Sequence, residues 1–371
     1  MILYSNAGKG FHMKKYAILL LIWAFLFTGC QAGENQNSSV SETSSLIHSA
    51  DTPEKTELHS ADIFAMDTYM NLKVWSSDNG ECIKQASERI QELENLFSVT
   101  NPESDISRVN SSNGMPVSVS DDTVTVLQKA FQIGNDSKGA LDISIYPVLR
   151  AWGFTTDSMQ VPDNNTLTQL LENVDYSRIQ LDGNQVTLPE NMMIDLGALA
   201  KGYTSNEVIR IFRESGATSA IISLGGNVQA LGRKQDGSFW KVGVVNPFSP
   251  AENMCVLEIE NKAVITSGNY ERYFTDDKGN MYWHIIDKYD GYPADNGLVS
   301  VTIIGEDGLH CDALSTALFV EGTENAVAHW RQSNDFEMIL VTDDNRIIIS
   351  DGIQDSFTNQ STMPVEVVTH E

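Results

Sequence analysis

The fold is decided around Ile194-Asp195-Leu196-Gly197-Ala198-Leu199-Ala200-Lys201-Gly202-Tyr203, where an apolar strand end is expected to run into small residues and then a helix. Small residues let backbone approach a ligand closely, and a helix N-terminus favours an anion. Asp195 and Lys201 flank that turn. A tight strand-to-helix turn with a surface lysine would give the same pattern. Before this stretch the chain reads mainly as helix. Ile83, Ala86, Ile90, Leu93 and Phe97 recur at three- and four-residue spacing, which predicts an amphipathic helix over 81–97. Asp121 to Gly134 opens with acids and ends at glycine, a second helix. Met70 to Trp75 reads as a strand, and a short Leu-Leu helix is expected within 155–175. Lys201 to Ser215 is a third long helix, stopped by Gly216.

After it the texture changes. Ala220–Leu224, Lys241–Val245, Val256–Glu260, Ala263–Thr266, Val299–Ile304 and Met338–Thr342 read as strands, interrupted by helices over Asp312–Val320 and Thr323–Gln332. Mixed runs without strict alternation predict an α+β fold of mixed sheets with packed helices, not a doubly wound sheet. No Gly-x-Gly-x-x-Gly follows a strand and there is no phosphate-loop lysine motif, so a nucleotide site here must use another solution.

Four further clusters stand out. Ser223-Leu224-Gly225-Gly226-Asn227 places paired glycines after an apolar strand, a turn with positive φ. Thr266-Ser267-Gly268-Asn269-Tyr270-Glu271-Arg272-Tyr273 puts hydroxyls and glycine at a strand end, where phosphate can be met. His284-Ile285-Ile286-Asp287 contains one of the few histidines of the body; a structural histidine is the alternative. On a helix Asp312 and Thr316 share a face, and a carboxylate with a hydroxyl suits a hard divalent cation. A helix cap with an unrelated threonine is the alternative there.

The ends and the composition bound the rest. Lys14 and Lys15 precede an apolar run from Tyr16 to Phe27, closed by Thr28-Gly29-Cys30. That run is short of the roughly 20 residues a membrane-spanning helix needs and reads as a secretory leader. Cysteine directly after glycine is the bacterial lipoprotein pattern, predicting a cut before Cys30 and a lipid anchor on it. An uncut N-terminal anchor is the other reading. Residues 30–60 are polar and read as a flexible tether, with the folded body over 61–371, in one domain or two subdomains. Cys82, Cys255 and Cys311 suggest no disulfide framework or zinc site. The 371 residues hold 24 Lys+Arg against 50 Asp+Glu, a formal charge of −26. A surface of this sign excludes non-specific nucleic-acid binding. A polyanionic ligand would need its own local neutralisation: a metal ion, backbone N–H groups or a lysine.

Taken in order, these clusters resemble the ApbE family of FAD:protein FMN transferases, from about Met66 to Val320. The resemblance includes Met66-Asp67-Thr68, Ser104-Asp105-Ile106-Ser107-Arg108-Val109-Asn110, Gly139-Ala140-Leu141-Asp142-Ile143-Ser144 and Trp152-Gly153-Phe154 beside the clusters above. It implies a fold with FAD in a cleft and a Mg²⁺-dependent transfer of FMN to a Thr or Ser of a partner protein, with AMP released. Carried over by motif, Asp312, Ser315, Thr316 and the Ala198 carbonyl would hold the metal. Met66, Thr100, Ala140, Leu141, Asp142, Asp195, Lys201 and Ile286 would contact FAD. His284 would be the base, with Asp287 and Asp312 as competitors. The acceptor implied is a flavoprotein subunit of an extracytoplasmic redox complex, and the location the outer face of a bacterial membrane. Asp67 stands where the family usually has glycine, Lys288 where it usually has proline, and Thr100 where it often has an aromatic. An FAD pyrophosphatase, a periplasmic FAD carrier and, more distantly, the solute-binding lipoprotein of an importer are the competing readings.

Overall fold

The computed structural model describes residues 56–156 and 158–370. The leader, Cys30 and most of the expected tether lie outside the described residues. In chain order the elements are β1 (Glu57–Ala65), β2 (Thr68–Ser76), α1 (Glu81–Phe97), α2 (Asp105–Asn110), β3 (Val117–Ser118) and α3 (Asp121–Asp136). Then come α4 (Tyr146–Trp152), α5 (Asn164–Leu171), β4 (Gln180–Asp182), β5 (Gln185–Thr187) and α6 (Ala200–Glu214). The second half holds β6 (Ser219–Leu224), β7 (Asn227–Leu231), β8 (Trp240–Asn246), β9 (Ser249–Ile259) and β10 (Ala263–Gly268). It continues through β11 (Tyr273–Thr275), β12 (Met281–Trp283), β13 (Leu298–Gly305) and α7 (Gly308–Arg331). It ends with β14 (Phe336–Thr342), β15 (Ile347–Ser350), β16 (Phe357–Asn359) and β17 (Val365–Val368).

One nine-stranded sheet, in the order β1-β2-β6-β7-β10-β13-β14-β15-β17, organises the molecule. Its neighbours pair antiparallel except β15 with β17. The sheet runs unbroken through both halves of the body, which is one compact unit. The central strands are apolar on both faces because both faces are covered. Ile265, Val301, Ile303, Met338 and Leu340 pack under α7, against Leu314 and Leu318. Their alternating neighbours Val264, Ile304, Ile339 and Val341 meet Trp240, Val242 and Leu257 of the small sheet β16-β9-β8. Strict alternation of side chains along a strand makes one segment serve two cores. Toward β1, Leu72, Val74, Ala220 and Ile222 bury Ile90 of α1 and Phe212 of α6.

The α+β expectation therefore holds, and α1 matches the predicted 81–97. Three local expectations are corrected. No strand precedes α6: residues 192–196 make no ladder. The main chain of Ile194 is clamped instead by the Asn110 side chain, which accepts from its N–H at 2.7 Å and donates to its carbonyl at 2.8 Å. Residues 57–60, expected in the tether, belong to β1. Strand β9 begins at Ser249, not Val256. The two helices expected over 312–332 are the two arms of α7, broken at Gly322 with φ 77° and ψ 171°.

Candidate active site

The site lies at one end of the large sheet, where the β1–β2 turn, the β6–β7 turn, the end of β10 and the start of α6 meet. Both turns have two residues with positive φ, Met66-Asp67 (51° and 56°) and Gly225-Gly226 (61° and 97°). This is the turn that the right-handed twist of a hairpin favours. They touch: the Gly225 N–H donates to the Tyr69 carbonyl at 3.1 Å, and a Cβ on Gly225 would lie 2.3 Å from Thr68 Oγ1. Aspartate tolerates the left-handed region better than most residues, so Asp67 fills the turn position without glycine.

Asp312 is the anchor. The N-cap of α7 is Asp307, so Asp312 sits inside the helix with Thr316 one turn on. Its buried carboxylate accepts from the Gly202 N–H at 2.8 Å and from Asn227 Nδ2 at 2.9 Å. It thus satisfies an orphan donor in the first turn of α6, which has no side-chain cap of its own. Gly202 permits the approach: a Cβ there would lie 2.3 Å from the Gly308 carbonyl oxygen and 2.5 Å from Asp312 Cβ. Burial pushes the Asp312 carboxyl up, while Lys201 and the two hydrogen bonds pull it down.

Hydroxyls gather beside it. Ser267 Oγ, near the end of β10, lies 2.8 Å from Ser315 Oγ and 3.2 Å from Thr316 Oγ1. Ser315 is fully buried and also donates to the Asp312 carbonyl at 2.8 Å, so its hydroxyl is already engaged. Thr316 is the more accessible of the two. Among the described residues no three His, Cys, Asp or Glu side chains form a metal-binding group. The donor set is one carboxylate, hydroxyls and nearby backbone, which fits a hard, oxygen-seeking cation that keeps several waters.

Lys201 is within electrostatic reach of Asp195, Glu271, His284 and Asp312, and Arg272 of Asp195 and His284. Lys201 makes no ion pair among the described residues, and its charge acts on these groups at longer range. Asp195 and His284 each keep an edge open to water while protein encloses the rest, whereas Glu271 is exposed although its carboxyl lies among packed neighbours. Burial raises the Asp195 carboxyl, against the Gly197 N–H, Arg272 and Lys201. Burial likewise pushes Glu271 up to about 7, with Lys201 opposing and Asp312 adding to it. His284 is held down to about 4 by burial and by Arg272. Its Nδ1 lies 3.2 Å from the Arg272 carbonyl oxygen. A carbonyl can only accept, so Nδ1 carries the proton and Nε2 presents a lone pair.

His284 is seated by an aromatic cluster. Trp152 packs on Tyr282 at 5.1 Å and on Phe154 at 6.3 Å, and Phe274 stacks on Tyr282 at 5.4 Å. These rings hold the β11–β12 hairpin against α4, with Ile286 buried in the same cluster. The predicted residues thus fall into groups. Lys201, Asp195, His284, Asp312 and Thr316 converge, with Ala198 in the turn that opens α6. Met66 sits in the adjoining hairpin turn, its N–H on Glu94 Oε1 at 2.7 Å and its sulfur near Thr204 Oγ1. Asp142 is almost fully buried and engaged by protein partners, with Leu141 buried beside it and Ala140 partly exposed. Thr100 is exposed after α1 and bonds within its own turn, to Ser98. Sequence reasoning assigned no role to Glu271, Arg272 or Asn227, and read Ser267 only as a hydroxyl that could meet phosphate, although all four lie inside the quoted clusters. A cation-poor body that keeps Arg272 next to Glu271 was the available signal.

Comparison with known proteins gives concordant results. A family model described as the ApbE family matches residues 66–340. A FAD:protein FMN transferase of Klebsiella pneumoniae is 35% identical over 286 residues, covering 75% of this chain and 87% of that protein. One of Treponema pallidum is 30% identical over 310 residues, covering 78% and 85%. Among solved structures, the ApbE protein of Thermotoga maritima superposes with a TM-score of 0.76 at 29% identity, over 81% of this chain and 99% of that one. The apo flavinyl transferase ApbE of Pseudomonas stutzeri gives 0.70 at 25% identity, over 78% and 92%.

Proposed function

The chain belongs to the ApbE family, and from that premise we propose that it is an FAD:protein FMN transferase acting in the cleft around Lys201. The observation that carries this reading is the convergence of Lys201, the Asp312-bound first turn of α6 and the hydroxyls of Ser267 and Thr316 in a chain of charge −26. Within so acidic a protein, a free lysine beside a carboxylate–hydroxyl set supplies the local neutralisation a dinucleotide requires. In the proposed reaction the hydroxyl oxygen of an acceptor Thr or Ser attacks the phosphorus of the FMN half. The pyrophosphate P–O bond breaks, a phosphoester forms, and AMP leaves.

The residues divide the work. His284 Nε2 takes the acceptor proton, and the buried, neutral ring is ready to do so at neutral pH. Lys201 meets phosphate charge. Met66, Asp195, Ile286 and the Ala140-Leu141-Asp142 segment frame the flavin nucleotide. Asp312, Thr316 and the Ala198 carbonyl would hold Mg²⁺, with Ser267 and Ser315 behind them. A bound Mg²⁺ supplies charge stabilisation to the pyrophosphate. The leader ending just before Cys30 supports lipid anchoring on the extracytoplasmic face of a bacterial membrane, and the acceptor would be a flavoprotein subunit of a redox complex there. No helix among the described residues is long and apolar enough to cross a membrane.

The test is intact-mass spectrometry of a candidate acceptor domain incubated with the protein, FAD and Mg²⁺, with and without chelator. A chelator-sensitive mass gain of one FMN is expected. AMP with free FMN would instead make the protein a pyrophosphatase, and unchanged bound FAD would make it a carrier.

A further inference from the structure

The geometry points to Lys288 as a positioning residue for FAD, a role that rests on the transferase reading above. Its Nζ lies 3.2 Å from Asp142 Oδ2, with the two side chains 19% and 2% exposed. Asp142 is otherwise fully used. Its Oδ1 accepts from the Ser144 N–H at 3.0 Å and the Ser144 hydroxyl at 2.5 Å, and its Oδ2 from the Tyr176 N–H at 3.3 Å. The backbone is shaped to admit the ammonium. Gly139 has φ +88°, and a Cβ there would lie 2.2 Å from Nζ. The Tyr176 ring centroid is 5.7 Å from Nζ on another side. A lysine admitted by a glycine, paired to a carboxylate with no other ion-pair partner among the described residues and flanked by an aromatic ring is held, not merely packed.

What it holds is the loop 285–294. This loop is closed on itself by Asp287 N–H to the Tyr292 carbonyl at 2.8 Å and Ala294 N–H to the Ile285 carbonyl at 2.9 Å. Its tip is fixed by Trp152 Nε1 donating to the Gly291 carbonyl at 2.7 Å. Lys288 fixes its flank. His284 and Ile286 lie on the arm that leads directly into Lys288, while Asp142 belongs to the segment expected to meet the same nucleotide. The ion pair therefore sets the spacing between two walls of the FAD cleft, 140–142 and 284–286. Lys288 touches no reacting atom: losing it loosens the walls and leaves the chemistry in place.

Lys288→Met and Lys288→Arg in the whole protein test this, read by FAD-dependent transfer kinetics and amide hydrogen exchange. For Lys288→Met, KM for FAD is expected to rise about tenfold or more, as for truncating one partner of a buried charge pair, with kcat within about threefold. Amides of 285–294 should exchange faster while α1 and β13 stay protected. Lys288→Arg should restore KM and protection, since it keeps the charge. An unchanged KM with unchanged exchange overturns the proposal. So does a general loss of protection or of kcat that arginine does not rescue, which would make Lys288 a merely structural residue. If the wild type neither binds nor cleaves FAD, the transferase reading fails, and the exchange comparison still decides whether Lys288 holds the loop.

Discussion

Asp312 joins three elements with one carboxylate: its own helix α7, the first turn of α6 through Gly202, and β7 through Asn227. Removing its charge while keeping its size isolates the cation-binding part. Asp312→Asn should lower Mg²⁺-dependent FMN transfer at least about a thousandfold, several kcal/mol of charge stabilisation, measured as adduct formed per minute by intact mass. Glu271 makes a different point at the same scale. Its folded pKa of about 7 lies above the 4.5 of a free glutamate, so the folded state prefers the neutral acid. The cost of its charge is absent below about pH 4.5, grows as pH rises through 7, and is full above that. Because the Glu271 side chain is exposed, water screens much of that cost, so Glu271→Gln should raise the melting temperature at pH 8 by no more than about 1 °C and leave it unchanged near pH 4.5; equal shifts at both pH values would refute this. His284 acts in the opposite sense. Its pKa is depressed, so its contribution is full above pH 6.5 and is lost as pH falls toward 4.

At the scale of elements, the α6–α7 contact decides where Lys201 points. Two glycines, Gly202 and Gly308, let the helix starts approach until backbone meets backbone. Gly202→Ala would force its Cβ into the Gly308 carbonyl, and a carbonyl in a packed helix cannot yield as a flexible side chain can. A loss of about 1–3 kcal/mol in urea denaturation is expected, together with weaker FAD binding as α6 shifts. The β1–β2 and β6–β7 turns form a second close contact. There the positive φ of Asp67 shows that a departure from a glycine pattern can preserve the geometry.

At the scale of the whole molecule, charge dominates. A chain of net charge −26 repels a dinucleotide at long range, and on the proposed reading Lys201 neutralises it locally. Screening weakens the distant repulsion first, because its reach is about 10 Å at 0.1 M salt, whereas contacts inside the cleft are screened less. In the absence of divalent cation, FAD should therefore bind at least about twofold more tightly at 0.2 M than at 0.02 M NaCl by fluorescence titration. Weaker binding with salt would mean that local attraction to Lys201 outweighs the field of the whole body. The covered sheet explains why the cleft can be so polar. Two apolar cores on its two faces carry the stability, leaving one end free to hold buried acids.

Periodicity in the sequence determined α1, terminal signals α3 and α6, and apolar runs the central strands, because each of these signals is local and survives any tertiary arrangement. The ordered clusters likewise marked most of the residues that converge on Lys201. What the sequence could not decide were the relations between distant segments. The pairing of β15 with β17, the absence of a strand before α6 and the Asn110 clamp on Ile194 depend on which backbones come within hydrogen-bonding distance. Only tertiary structure turned Asp312 into the partner of Gly202 and Asn227, and Lys288 into the partner of Asp142. Local sequence encodes the burial of a face, but a buried charge finds its partner only once several elements have closed around it.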